Sequence, residues 1–455
     1  IWNLYKAWDN NKDLERFCNY NLHDAEMTLK LAENVLPNLN ELVKLVGMPI
    51  QDLCRMSYGQ LVEWYLVKQV KDFNEICPNR PTYETIAKRQ RHTYEGAFVF
   101  EPIPGLYENI AVFDFRSLYP TIITAHNICP STLTKNKKNS YASPEIGKEK
   151  KRFYFTTKKE GFIPKILKDI LTRRIRIKEM LKSKYDPILD ARQETLKILA
   201  NSFYGYLGFF GARYYSIECA QSITAFGRDY IQKVIRKAQE NFKVIYADTD
   251  SVFLTLENKK EKDALDFLEN VNRELPSLME LELENFYPRG IFVMKKANIK
   301  GAKKKYALID KEENIKVVGF ESVRRDWSIL AREVQNKVFE IILKENNVEK
   351  ALDYVKEMIK KVREKKIEKE KLILQTQLKK DIEDYESIGP HVAIAKKMRQ
   401  KDLIVGPGSI ISYIITEGKG LIRDKARMPE ETEDYDAEYY VNNQIVPAVE
   451  RIFEV

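Results

Sequence analysis

The sequence predicts an α+β protein built of several domains, and three observations predict it. At 455 residues the chain is too long for one compact core, and at roughly 100 to 200 residues per domain it divides into about three. Two apolar runs carry acidic residues at their ends and read as strands: Val112-Phe113-Asp114-Phe115-Arg116-Ser117-Leu118-Tyr119-Pro120 and Ile245-Tyr246-Ala247-Asp248-Thr249-Asp250-Ser251. Around them lie segments whose apolar residues recur at three and four spacing, the period of a helix. Hydrophobic content of 44% with 31% charged residues fits packed domains and excludes a disordered chain.

The elements follow in order. From Leu14 to about Leu66 helical spacing runs through Leu29, Leu31, Val35, Leu61, Val62 and Leu66, until Pro78 and Pro81 break it. Pro102 and Pro104 flank Ile103 and make a stiff entry to a strand over Ile110 to Phe113. A Lys-, Asn- and Ser-rich loop follows Pro130, and Gly161 to Pro164 opens a helical run on which Arg174 and Lys178, four apart, share a face. A second helix carries Gln193, Lys197, Asn201 and Tyr204 at spacings of four, four and three, so two facing helices bring the cations together. Lys243 to Leu254 reads as a hairpin with Asp248-Thr249-Asp250 at its tip, although tight turns favour Asp on their own account. Beyond Glu321 the composition turns helical, with eight Lys or Arg and four Glu between Lys356 and Lys371, and predicts a separate C-terminal helical domain.

Charge is unevenly placed. The window from Glu145 to Lys184 holds 14 Lys or Arg and 5 acids, a net +9 that equals the excess of the whole chain. That describes a local electropositive surface. The five cysteines form no Cys-x-x-Cys pair and the four histidines are scattered, which argues against a disulfide framework and against zinc. A reducing interior suits such cysteines. No apolar run reaches the roughly 18 to 20 residues that span a bilayer. The first residue is Ile1, and the expectation is a piece of something longer.

Magnesium takes oxygen ligands in octahedral geometry and commonly uses one or two carboxylates plus substrate phosphates. Asp114 and Asp250 suit that role, provided that adjacent strands of one sheet bring them together across 136 positions. Two ions so held would activate an attacking hydroxyl and stabilise the charge of a phosphoryl-transfer transition state. Arg174, Lys178 and Lys197 would neutralise a triphosphate tail beside Asn201, with Lys197 placed to protonate the departing pyrophosphate.

Asp114 to Pro120, Lys197 to Gly205 and Tyr246 to Ser251, in that order and spacing, closely resemble the three polymerase motifs of the family B (alpha-like) DNA polymerases, the archaeal type in particular. The resemblance runs through nearly the whole chain. It implies a palm of antiparallel sheet with helices, helical fingers, a helical thumb and the remnant of an exonuclease domain. Divided accordingly, 1–95 is the remnant and linker, 96–160 the first part of the palm, 161–209 the fingers, 210–320 the second part of the palm and 321–455 the thumb.

Further roles come from the same resemblance. Asp248 would support Asp250, Phe115 would join the metal site, and main-chain groups at Ser117 and Leu118 would line the triphosphate. Tyr119 would exclude a ribose 2′-hydroxyl and Tyr204 would pack near the nascent base pair. Lys303-Lys304-Lys305-Tyr306 would contact the primer-template duplex, together with Tyr94 and Gly96 of the Tyr94-Glu95-Gly96-Ala97 segment. An extra stretch, Ala297 to Ala302, separates these lysines from Lys295-Lys296. Tyr20 and Asp24 match the third motif of a proofreading exonuclease whose earlier motifs do not precede them, so the polypeptide alone is expected not to proofread. Two Mg2+ ions, or Mn2+ in their place, are the implied cofactors, and dNTPs and primer-template DNA the implied partners. A separate chain supplying the N-terminal and exonuclease parts, and a sliding clamp, stand as further partners, although no clamp peptide follows Val455; no membrane is involved. The expected location is cytoplasmic and nucleoid-associated. Two alternatives stay open: a non-catalytic DNA-binding subunit, and another palm-type nucleotidyl transferase, which the bulky Tyr119 disfavours.

Overall fold

A computed structural model describes residues 8–12, 14–295 and 298–455. Its centre is one seven-stranded antiparallel sheet in the order β1-β3-β4-β2-β5-β6-β7, where β1 is Val99–Phe100, β2 Gly105–Phe115, β3 Lys243–Asp248, β4 Ser251–Thr255, β5 Leu281–Lys295, β6 Asn298–Ile309 and β7 Ile315–Val318. The order answers the question posed by the distance between the two acidic segments. β2 lies directly against β4, with Asp114 opposite Ser251, so Asp250 arrives beside Asp114. The α+β expectation is borne out. Lys296 and Ala297, on which part of the expected extra stretch falls, lie outside the described residues.

One face of this sheet is covered by helices α3 (Leu118–Ala125), α6 (Ile217–Gln239) and α7 (Glu261–Glu274). Their apolar residues, Ile122, Ile223, Ile231, Phe267 and Val271 among them, are buried with Ala111 and Phe113 of β2. Alternation along β2 sends Ile110 and Val112 to the opposite face, into an aromatic cluster of Tyr246, Phe253, Tyr287 and Phe292. Because both faces bury apolar side chains, a one-residue slip would exchange two unlike cores, and the register that sets the carboxylates is held firmly.

From this body project two 22-residue helices, α4 (Phe162–Ser183) and α5 (Pro187–Gly208). Their junction is specified locally. Asp186 caps α5 by accepting from the Ile188 and Leu189 amides, and Pro187 takes the first helical position, where its missing N–H removes no bond. The amino-terminal segment braces α5. Its helices α1 (Leu14–Val46) and α2 (Tyr58–Gln69) pack on that helix, and the buried Glu41 of α1 accepts from Arg192 Nε at 2.6 Å. Glu63 of α2 accepts from Tyr206 OH and from the Arg213 amide, pinning the chain just beyond α5.

The C-terminal region departs from the helical expectation. Helices α8 (Ile329–Glu345), α9 (Val348–Arg363), α10 (Pro390–Gln400) and α11 (Val446–Phe453) are joined by a three-stranded sheet of Leu374–Gln377, Ile410–Ile415 and Ala426–Arg427. Nor is it separate. Its core takes in Ile291 and Val293 of β5 and Ala302, Ala307 and Ile309 of β6, so the far end of the central sheet is also a wall of the C-terminal unit.

Candidate active site

The site forms where β2, β4 and β5 end beside the first turn of α3. Asp114 stands directly opposite Glu282 of β5, and the Phe115 amide donates to the Asp250 carbonyl at 2.9 Å, locking the two acidic segments together. Both segments carry a non-glycine residue in the left-handed region: Ser117 at φ 51°, capping α3, and Thr249 at φ 60°, in the tip between β3 and β4. Such conformations cost about 1 to 3 kcal/mol each and persist where the surroundings over-determine them. At Thr249 the surroundings are visible: its amide donates to Phe98 O, its hydroxyl to Asp248 Oδ1, and the next amide, of Asp250, to Asp248 O.

Electrostatically the site is a cluster of carboxylates in which Glu282 is paired with Arg116 and Lys178 and Glu284 with Lys316, while Asp114 and Asp250 are not. Burial, then the charges of Asp250, Glu284 and Glu282, push Asp114 up to about 7, and burial raises Asp250 as well. Among the described residues neither carboxylate has a Lys or Arg within ion-pair distance. Asp248 differs. Tyr246 OH and Thr249 Oγ1 donate to its two oxygens at 3.0 Å each, and Lys304 Nζ lies 3.4 Å away. Two unpaired, partly desolvated carboxylates on neighbouring strands fit a divalent cation, which would remove the repulsion that raises Asp114. No group of three or more His, Cys, Asp or Glu arranged to hold a metal occurs among the described residues.

This repulsion has a measurable consequence. Between pH 4 and pH 7 the folded chain holds a proton on Asp114 that the unfolded chain has released, so stability falls as pH rises through that window. Asp114→Asn removes the conflict and is expected to raise the melting temperature of the metal-free protein at pH 8. The gain should shrink at pH 5 and vanish near pH 4; equal melting curves at pH 8 would count against the burial described.

Opposite the carboxylates, α4 and α5 present the cations. Arg174 is 8% exposed; its Nη1 donates to Ser117 Oγ at 3.1 Å, while its buried Nε has no hydrogen-bond partner among the described residues. Lys178 lies 3.8 Å from Glu282 and Lys197 3.4 Å from Glu194 one turn before it. Asn201 is exposed on the same helix, and the amides of Leu118 and Tyr119, in the first turn of α3, have no intrahelical acceptor. Arg174, Lys178 and Lys197 are the cations that these two helices could offer a polyanion.

A set of tyrosines borders the same space. Tyr119 packs on Tyr204 with centroids 4.4 Å apart, and Tyr204 OH meets Tyr94 OH at 3.2 Å. Burial, then Asp250, pushes Tyr119 up to about 12. Helix α6 holds the far side. Arg228 donates to the Glu95 and Gly96 carbonyls, and Thr224 to Glu95 O, fixing the exposed Gly96 segment. The neighbouring Gly227 leaves room for Tyr119: a Cβ there would stand 3.1 Å from its ring.

The sequence reading missed Glu282, Glu284 and Arg116, which donates to Glu282 and pairs with Glu280. The signal was the alternation Leu281-Glu282-Leu283-Glu284, which places two carboxylates on one face of a strand. The lysine segment needs correcting. Lys303 and Lys304 are exposed, but Lys305 is 9% exposed and ion-paired to Glu321, so it does not face a duplex. Tyr306 is partly buried and stacks on Phe292 at the margin of the aromatic cluster. Tyr20 and Asp24 lie on the exposed part of α1.

Comparison with known proteins decides the family. The profile described as DNA polymerase family B matches residues 49–455. The chain belongs to DNA polymerase family B. It is 44% identical to a DNA polymerase of Thermococcus gorgonarius, with 99% of this chain and 58% of that protein aligned. Against a DNA polymerase of Archaeoglobus fulgidus identity is 37%, again with 99% and 58% covered. The solved structure of the family B DNA polymerase from Pyrobaculum calidifontis superposes with a TM-score of 0.76 at 34% identity, covering 99% of this chain and 58% of that one. This family B chain therefore spans a little over half the length of the relatives it matches.

Proposed function

We propose that this chain carries out template-directed DNA synthesis, adding deoxynucleotides to a primer 3′-hydroxyl and releasing pyrophosphate. The observation that supports the reading is Asp114 and Asp250 brought together on neighbouring strands, with no Lys or Arg in ion-pair distance among the described residues, next to Arg174 and Lys178 of α4, which reach Ser117 and Glu282. In this reading the seven-stranded sheet is the palm, α4 and α5 the fingers and 321–455 the thumb. Lys303 and Lys304 take the duplex with Tyr94 and Gly96, and Tyr20 and Asp24 remain from an exonuclease. The apolar residues that α1 exposes seven apart, Leu22, Leu29 and Leu36, offer a face to exonuclease and N-terminal parts supplied by a separate chain. A sliding clamp and a cytoplasmic, nucleoid-associated setting complete the proposal.

Asp114 and Asp250, with the Phe115 carbonyl, would hold two Mg2+ ions, or Mn2+; when bound, these lower the pKa of the primer hydroxyl and neutralise charge on the transferring phosphate. The protein's own residues do the rest. Arg174, Lys178 and Lys197 bind the triphosphate, the Ser117 and Leu118 main chain lines it, and Asn201 hydrogen-bonds beside it. Burial keeps the Tyr119 hydroxyl protonated, so its ring and neutral hydroxyl fill the space beside the sugar.

Primer extension with Mg2+ and dNTPs tests the activity, with chelation of the metal as its control. A chain that binds primer-template but extends nothing would turn the reading to the DNA-binding subunit. Tyr119→Ala is expected to raise ribonucleotide incorporation relative to deoxynucleotide by about 10- to 100-fold, the range set by clearing a steric block of a few kcal/mol. Unaltered sugar preference would return Tyr119 to packing alone.

A further inference from the structure

We propose that Lys305 is a positioning residue: with Glu321 and Gln335 it fixes the C-terminal unit on the central sheet, and through that orientation sets how firmly the chain holds duplex DNA. The proposal rests on the reading of 321–455 as the duplex-holding thumb. Lys305 Nζ meets Glu321 Oε1 at 2.6 Å, with side chains only 10% and 9% exposed. The other Glu321 oxygen accepts from Gln335 Nε2 at 3.0 Å. Gln335 is fully buried; it also donates to Ala448 O and accepts from the Ser322 amide. One polar chain thus runs from β6 through the 319–323 crossover to α8 and on to α11, the first and last helices of the C-terminal unit. Lys305 also lies 4.8 Å above the ring of the buried Phe320.

The backbone explains why this lysine turns inward while its two neighbours face out. Pairing of β5 with β6 slips between Phe292 and Met294, and Lys304 takes a left-handed φ of 57°. Strict alternation is lost there, so Lys303 and Lys304 both stay exposed and Lys305 points into the joint. Gly319 lets the crossover pass close to this point: its φ is 70°, and a Cβ would stand 1.9 Å from Lys304 O. A buried ion pair adds little stability against a well-packed apolar pair, but it is directional, and removing one partner leaves a charge that the interior cannot solvate. It therefore suits the setting of an orientation.

The test measures affinity for a fluorescent primer-template across a salt series, with single-nucleotide turnover at saturating DNA, for Lys305→Met, Glu321→Leu and the double variant. Expected is severalfold weaker binding for each single variant, an unchanged slope of log K against log[salt], and unchanged turnover once DNA is bound. The double variant, which strands no charge, should recover most of the affinity and guards against a simple failure to fold. A slope smaller by about 0.9 in Lys305→Met, the value of one lost phosphate contact, with Glu321→Leu binding as well as the parent, would overturn the proposal and make Lys305 a DNA ligand. If the parent chain itself binds no primer-template, the functional reading fails instead.

Discussion

Asp250→Ala is expected to abolish primer extension, by about 10³-fold or more, since a bound cation supplies several kcal/mol of transition-state stabilisation. Asp248→Ala, two residues away, is expected to leave a measurable enzyme, slower by about tenfold, the scale of a lost supporting hydrogen bond. The difference follows from partners. Tyr246, Thr249 and Lys304 already satisfy the oxygens of Asp248, whereas Asp250 is buried and, among the described residues, has no Lys or Arg in ion-pair distance, Lys304 acting on it only from farther off. The Asp250 variant should fold at least as well as the parent, because it sheds a carboxylate whose charged form the interior penalises. Single-turnover extension with Mg2+, read alongside melting curves, separates the two effects. Equal losses in both variants would mean that Asp248 holds a cation too, and near-parental rates in Asp250→Ala would remove the proposed chemistry.

Lys197→Ala is expected to weaken nucleotide binding and to lower turnover by about 10²- to 10⁴-fold, the range of a lost general acid. Lys197→Arg sharpens the result. Arginine keeps the charge but cannot give up its proton at working pH, so it should restore affinity for the triphosphate while turnover stays low. The position supports both roles. Lys197 is half-exposed on the helix that packs against the one carrying Arg174 and Lys178, and its pairing with Glu194 across 3.4 Å is weak enough to be exchanged for phosphate. Recovery of full turnover by arginine would reduce Lys197 to a charge clamp.

The parts of the fold that the sequence disclosed are those where local pattern and tertiary role coincide. Asp114 and Asp250 stand out because an acidic residue at the end of an apolar strand is unusual, and the hairpin tip and the helix opened at Gly161 carry their own turn and cap signals. Glu282 and Glu284 were harder: in a segment this charged, alternating glutamates look like a solvated edge until β5 is seen inside the sheet. Lys305 was illegible for another reason. In a run of three lysines only the backbone slip determines which one turns inward, and the close packing beside it needs Gly319, fourteen residues after Lys305. The C-terminal sheet was hidden because its strands, of four, six and two residues, are too short to outweigh the helical composition around them.

Gly227 carries a consequence for engineering. In the middle of the 23-residue helix α6 it forgoes about 1 kcal/mol of helix propensity relative to alanine. A campaign that ranks variants by heat resistance would favour Gly227→Ala. That methyl group would press on the ring of Tyr119, so the hardier chain and the one that keeps Tyr119 undisturbed are different sequences at this position.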